Sequence, residues 1–210
     1  MKEFDKDYYE NGIQTKKSLY ENYRWMPELT IPFCSVLIEH LGIKEEDTIL
    51  DFGCAKGYVV KALRLLHRKA FGVDISEYAI NSTPVDTKEY VSLIDENYKI
   101  YGTYDWVICK DVLEHIKYDN IDSVIKILGR VGSNIFCSIP LGDGEKYIIP
   151  TYEEDTTHVI RESLSWWQSV FVKNGFEVKM AEYLMRHVKE DWSQWEKGNG
   201  FFVLENTKRT

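Results

Sequence analysis

The segment ILDFGCAKGYVVKAL, residues 49–63, limits the folds open to this 210-residue chain more than any other stretch. An apolar run ends on Asp51, a glycine-bearing turn follows, and a helical pattern begins around Gly57. A second apolar run, FGVDIS, then ends on Asp74. In a doubly wound α/β fold, such a turn lies at the carboxyl end of the first strand, where ligands bind. Gly53 and Gly57, lacking Cβ atoms, let backbone approach a ligand and let the helix pack close to its strand. A carboxylate at Asp74 is placed to accept bonds from both ribose hydroxyls of an adenosine cofactor. Aspartates also cap turns without any ligand. The full order of strand, glycine turn, helix, strand and acid favours the adenosine site.

The rest of the chain repeats this alternation. Strands are expected at Thr48 to Asp51, Ala70 to Asp74, Tyr90 to Ile94, Asp105 to Cys109 and Asn134 to Ile139. Helices are expected around Gly57 to His67, Ser76 to Asn81 and Asp119 to Val131. Ahead of them a helix is expected from Thr30, with Pro32 in its first turn and Gly42 ending it. A further helix from Ser163 to Asn174 is followed by Gly175 as a left-handed cap. Two final strands, Phe176 to Tyr183 and Phe201 to Glu205, have no helix between them. The expected fold is therefore α/β: a doubly wound, mostly parallel seven-stranded sheet of Rossmann-like type with an antiparallel last strand. One domain, residues 1–210, divides into an aromatic-rich amino-terminal cap (1–44) and a cofactor-binding core (45–210). The excursion RHVKEDWSQWEKGNG between the last strands carries Trp192 and Trp195, which suggests a covered surface and leaves a homodimer open.

Charge narrows the partners. With 26 basic against 34 acidic residues, the formal charge of −8 gives no footprint for a polyphosphate backbone, so no nucleic-acid partner is expected. The four cysteines, Cys34, Cys54, Cys109 and Cys137, form no CxxC cluster and suit a reducing compartment. The start MKEFDKDYYENG holds no apolar run suited to a signal or a membrane span, which gives the expectation of a cytoplasmic protein.

A dinucleotide site is disfavoured, because no GxGxxG can be drawn and no tyrosine has a lysine four residues later. DFGCAKG instead resembles the first motif, DxGxGxG, of class I S-adenosylmethionine (SAM) dependent methyltransferases. FGVDIS resembles their second-strand acid, and YDWVICKDVLEHI their fourth-strand motif; the likeness spans residues 45 to 180. Ala55 departs from the pattern by replacing the middle glycine. Slight reshaping of the turn is expected, provided that the alanine backbone is not left-handed.

The resemblance implies SAM as cofactor. It implies that Asp51, Gly53 and Gly57, with Cys54 in the same turn, line the methionine part. It places Asp74 on the ribose, Ile75 on the adenine, Asp95 or Glu96 at the adenine amino group, and the Lys110 backbone at the methionyl ammonium. The expected activity is methyl transfer to a small-molecule acceptor, such as the oxygen of a sugar or pathway intermediate. Macromolecule methylation and a non-catalytic SAM-binding protein remain the alternatives; CKDVLEH lacks the (D/N/S)PP(Y/F) sequence of base-amine methyltransferases.

A hydroxyl acceptor must lose a proton, and His158 and His115 are the candidate bases. Tyr20, Tyr23, Arg24 and Trp25 in the cap, with Arg161, are candidate acceptor contacts. Asp111, Glu114 and His115 form a D-x-x-E-H cluster that is expected on one helical turn. It is similar to the E-x-x-E-H metal ligands of ubiquinone-pathway O-methyltransferases. Acids in a first helical turn are also favoured by the helix dipole alone, so a divalent metal is allowed but not expected.

Overall fold

A computed structural model describes residues 3–95 and 97–207. The amino-terminal segment holds two short helices, α1 (Lys6–Glu10) and α2 (Gly12–Thr15), before a long one, α3 (Pro27–Leu41). The alternating core follows: β1 (Thr48–Phe52), α4 (Tyr58–Leu65), β2 (Lys69–Asp74), α5 (Glu77–Asn81), β3 (Val91–Leu93), β4 (Tyr104–Lys110), α6 (Tyr118–Val131) and β5 (Gly132–Pro140). The chain closes with α7 (Leu164–Lys173), β6 (Phe176–Glu182) and β7 (Asn199–Asn206).

The seven strands lie in the order β3-β2-β1-β4-β5-β7-β6. All are parallel except β7, which runs antiparallel to both neighbours. Residues in β4, β5 and β7 alternate between two cores, as successive side chains on a strand must. Val107, Cys109, Ile135, Cys137 and Phe202 pack with Trp167 and Phe171 of α7 and the inner face of α6. Ile108, Phe136 and Phe201 face the other way, against Leu37 of α3 and Leu63 of α4. Helices on both faces explain why the central strands are apolar along their length rather than alternating. All four cysteines are free and buried among these residues. Among the described residues no helix is long and apolar enough to cross a membrane.

Several boundaries differ from those expected. α3 starts at Pro27, not Thr30, because Pro27 supplies the preset φ of a first helical position and Met26 accepts the early amides. Pro32 lies inside the helix rather than in its first turn. The third strand is only three residues long and follows a 3₁₀ turn at Lys88–Tyr90. Gly57 precedes α4 in a left-handed conformation (φ 74°), while Gly42 (φ 65°) and Gly175 (φ 93°) end their helices as expected. The largest difference follows β4. Leu113–His115 form a separate 3₁₀ turn and α6 begins only at Tyr118, so the D-x-x-E-H residues do not share an α-helical turn.

The excursion between β6 and β7 contains a 3₁₀ turn, Glu190–Trp192, and folds back on its own chain. Met185 and Val188 are buried, and Trp192 packs 5.5 Å from Tyr152, whereas Trp195 stays partly exposed. The amino-terminal segment closes over the opposite side. Ser76 Oγ donates to the Phe4 carbonyl (2.6 Å), and the buried Lys56 ammonium pairs with Glu10 and donates to the Tyr23 carbonyl (2.6 Å).

Candidate active site

Strand order reverses between β1 and β4, and the crevice expected at such a switch point is present. A cleft of about 1020 Å³ opens at the carboxyl ends of β1, β2 and β4, roofed by the amino-terminal segment. Asp51, Gly53, Cys54, Asp74, Ile75 and Lys110 line it, as the sequence implies. Gly57 does not. A Cβ there would meet Val91 Cγ1 at 3.0 Å, so this glycine lets α4 start against β3 rather than touching a ligand. Asp95 faces solvent, where its carboxylate accepts the Asn97 amide (3.0 Å), while Ile94 and Tyr98 line the cleft in its place. Glu96 lies outside the described residues.

The turn after β1 is held by the acid after β2. Asp74 Oδ2 accepts the Ala55 amide (2.7 Å) and its Oδ1 accepts the Ser76 amide (2.7 Å), which fixes the carboxylate at the cleft wall. Ala55 proves left-handed (φ 48°), contrary to the condition set for it in the sequence. The bond to Asp74 holds it in a region that costs an L-residue about 1 kcal/mol. Ala55→Gly is therefore expected to raise the ligand-free Tm slightly and leave SAM affinity within about threefold, as thermal melts and calorimetry would read.

Asp51 is buried, and its carboxylate has no hydrogen-bond partner among the described residues. Burial raises its pKa to about 7, with the Asp74 charge adding to the rise and Lys110 opposing it. Burial likewise raises Asp74, against the pull of the Ser76, Ala55 and Ile75 amides. Two close acids with room before them and one unpaired suit a ligand that brings a cationic ammonium and sugar hydroxyls. A SAM molecule meets both needs: Asp51 would hold its amino-acid end, Asp74 its ribose, and Ile75, Ile94 and Tyr98 its adenine.

The roof and remaining wall of the cleft come from residues near the two ends of the chain. Tyr20, Tyr23 and Arg24 line it as expected, joined by Phe4, Tyr9, Val112, Lys189 and Trp192. Trp25 does not line it; this ring packs on Tyr58 (5.8 Å) beneath Lys61 (5.5 Å), as an anchor for the first long helix. Arg161 lies apart from the cleft as well, paired with Glu153 (3.0 Å) and stacked over Tyr147 (5.2 Å).

The floor holds the charged residues. Asp111 adopts a left-handed backbone (φ 55°) and pairs with Lys110 and with Lys189 (2.5 Å), which reaches in from the last excursion. Burial alone would raise Asp111, yet the two ammonium groups hold it well below the usual carboxylate range. Lys189 has no sequence signal: it is one lysine in a polar loop. His115 reaches the cleft, whereas His158 sits behind it, 8 % exposed, with ring centroids 4.7 Å apart. The expected role of His158 as a base in contact with the acceptor does not fit that position. Burial, then the neighbouring His158, lower His115 to about 4, so it is a neutral imidazole near pH 7.

This fold has counterparts among known proteins. The chain belongs to the methyltransferase-domain family, whose model matches residues 26–205. A chain in the complex of the Haloferax volcanii Trm112 methyltransferase activator with a methyltransferase superposes with a TM-score of 0.65. It is 15 % identical, over 86 % of this chain and 91 % of that one. Magnesium protoporphyrin IX methyltransferase from Synechocystis PCC 6803, with bound SAH, gives 0.62 at 15 % identity, covering 86 % and 83 %. A SAM-dependent methyltransferase from Archaeoglobus fulgidus gives 0.62 at 16 % identity, covering 85 % and 96 %. At such identities these likenesses concern the fold alone. No curated protein sequence matches significantly.

Proposed function

We propose that this protein methylates an oxygen of a small molecule, such as a sugar or a pathway intermediate, using SAM. The observation that carries the reading is the single cleft running from Asp74 and Asp51 to Arg24, His115 and Lys189. At about 1020 Å³ it sits at the top of the usual range for small-ligand sites, with room for a nucleoside cofactor and a modest acceptor but not for a protein or nucleic-acid surface.

SAM supplies an activated methyl group on its sulfonium when bound. The chain's own task is to align an acceptor oxygen with that methyl and exclude water. The aromatic roof of Phe4, Tyr9, Tyr20 and Tyr23 serves exclusion. Arg24, Lys110 and Lys189 give the acceptor end a polar and cationic lining, which suits a hydroxylated or acidic molecule. His115, the one of the two candidate histidines that reaches the cleft, would pack its ring edge against the acceptor rather than take its proton, because Nδ1 is held by Thr157 and Nε2 faces Glu114.

Measuring S-adenosylhomocysteine release with hydroxylated small molecules, peptides and oligonucleotides tests this reading. Turnover with members of the first group is expected. Turnover confined to peptides or oligonucleotides would overturn it, and tight SAM binding without turnover on any acceptor would favour a non-catalytic binding protein.

A further inference from the structure

Beneath the cleft floor three groups converge whose hydrogen bonding does not close. Glu114 is 0 % exposed, and among the described residues neither of its carboxylate oxygens has a hydrogen-bond partner. Its Oε1 lies 4.0 Å from His115 Nε2 and 4.0 Å from His158 Nε2.

The surroundings fix which face each imidazole turns to Glu114. His158 Nδ1 lies 2.9 Å from the Tyr152 carbonyl, which can only accept, so Nδ1 carries the proton. His115 Nδ1 lies 2.8 Å from Thr157 Oγ1, and that hydroxyl donates its one hydrogen to Asp155 Oδ1 (2.5 Å). The threonine must then accept from His115, so here too Nδ1 is the protonated nitrogen. Both Nε2 atoms are left as lone pairs 4.0 Å from Glu114 Oε1, and that of His158 also lies 3.9 Å from Asp155 Oδ2. Three groups with unfilled lone pairs face one another beyond hydrogen-bond reach. An uncompensated arrangement of this kind in a protein interior is costly.

We propose that Glu114, His115 and His158 bind one divalent transition-metal ion. One ligand atom from each lies within 4.8 Å of the others. A tetrahedral ion bound at about 2.1 Å to each would need donors roughly 3.4 Å apart, so Glu114 Oε1 must close by about 0.6 Å on each imidazole and the widest pair of donors by up to about 1.4 Å. Both Nδ1–H groups are already held by oxygen partners, the arrangement that orients metal-binding histidines. Two imidazoles and one carboxylate select zinc, iron, cobalt or nickel over magnesium or calcium.

This set differs from the D-x-x-E-H reading of the sequence. Asp111 is taken by Lys110 and Lys189, and His158 comes in from the far side of β5. Loop and turn are tied together, because the Val159 and Ile160 amides both donate to the Glu114 carbonyl (2.8 and 3.0 Å). Three protein ligands leave a tetrahedral ion with an open position. His115 bridges the site to the cleft, so an ion on its Nε2 would fix the orientation and raise the polarity of the imidazole that the acceptor meets. That catalytic consequence rests on the proposed O-methylation; the binding of the ion does not.

The test uses the full chain after chelator treatment, without SAM or acceptor. Zn²⁺ titrated by calorimetry is expected to bind one ion per chain at micromolar affinity or better, and Co²⁺ to give visible ligand-field absorption. Glu114→Gln and His158→Ala should each weaken Zn²⁺ at least about 100-fold. Asp111→Asn should leave the affinity within about threefold. Glu114→Gln loses no hydrogen bond, so its metal-free Tm should equal or exceed that of the unaltered chain, and this separates lost binding from lost folding. Absence of a cobalt spectrum and zinc heat in folded protein, or unaltered Zn²⁺ affinity in Glu114→Gln, would overturn the site. Loss of binding in Asp111→Asn would overturn the ligand set. Failure of methyl transfer alongside intact Zn²⁺ binding would strike only the O-methylation reading.

Discussion

Asp74→Ala is expected to weaken SAM binding by about 100-fold or more while the chain stays folded. Two charged hydrogen bonds to ribose hydroxyls are together worth about 3 kcal/mol, which is roughly a hundredfold in affinity. The same carboxylate accepts the Ala55 and Ser76 amides, so its loss also leaves those donors unpaired at the cleft wall. The damage therefore reaches the turn after β1, proposed to carry the methionine half of the cofactor. Asp74→Asn keeps one accepting oxygen but turns an NH₂ toward an amide or a hydroxyl that needs an acceptor, and should fall between the two. Calorimetry with SAM and with S-adenosylhomocysteine reads the effect, and circular dichroism checks the fold. Near-normal affinity in folded Asp74→Ala would remove the ribose assignment and with it the cofactor site.

SAM affinity should fall steeply in mild acid through Asp51. In the ligand-free chain burial, with the Asp74 charge, pushes this carboxyl up to about 7. A cationic ammonium needs its ionised form, so a proton competes with the ligand. Below pH 7 the competition costs up to tenfold per unit, or about 100-fold between pH 8 and pH 5. The stability of the ligand-free chain follows from the same shift. The folded pKa lies above the unfolded value of 3.8. Between about pH 4 and pH 7 the native state therefore holds the extra proton, and its stability declines as pH rises through that window. SAM reverses the decline by occupying the ionised site, so the thermal shift that it produces should be larger at pH 8 than at pH 6. Asp51→Asn should bind weakly with a flat profile over the same range. Equal thermal shifts for the unaltered chain at both pH values would show that Asp51 does not meet the ammonium.

Much of this site can be read in the residues themselves. The β1 turn, the acid after β2 and the central strands are legible because each follows from a local rule: glycine where φ is positive, carboxylate at a strand end, unbroken apolar runs where both faces are covered. The floor of the cleft is not local. D-x-x-E-H has the spacing of a helical turn, but the left-handed backbone at Asp111 swings its side chain toward Lys189, 78 residues further on. His158 reaches Glu114 only because a loop docks its amides on a 3₁₀ turn, which is a tertiary event with no sequence period. Trp25 and Arg161 show the opposite lesson. Large or charged side chains near a ligand crevice can spend themselves on packing and on a neighbouring glutamate. Asp95 misleads for a related reason. The third strand is only three residues long, so the acid after it turns outward and apolar neighbours take the position.

The place of β7 in the sheet sets an order of assembly. The last strand described, it lies between β5 and β6, and among the described residues β6 pairs with no other strand. On a growing polypeptide the five parallel columns and their glycine cradle can therefore form while the final strand is still unmade. The arm bearing Lys189 has no fixed base until residues 199–206 slot in. The edge of the crevice that bears Asp51 and Asp74 would then mature before the edge that Lys189 completes.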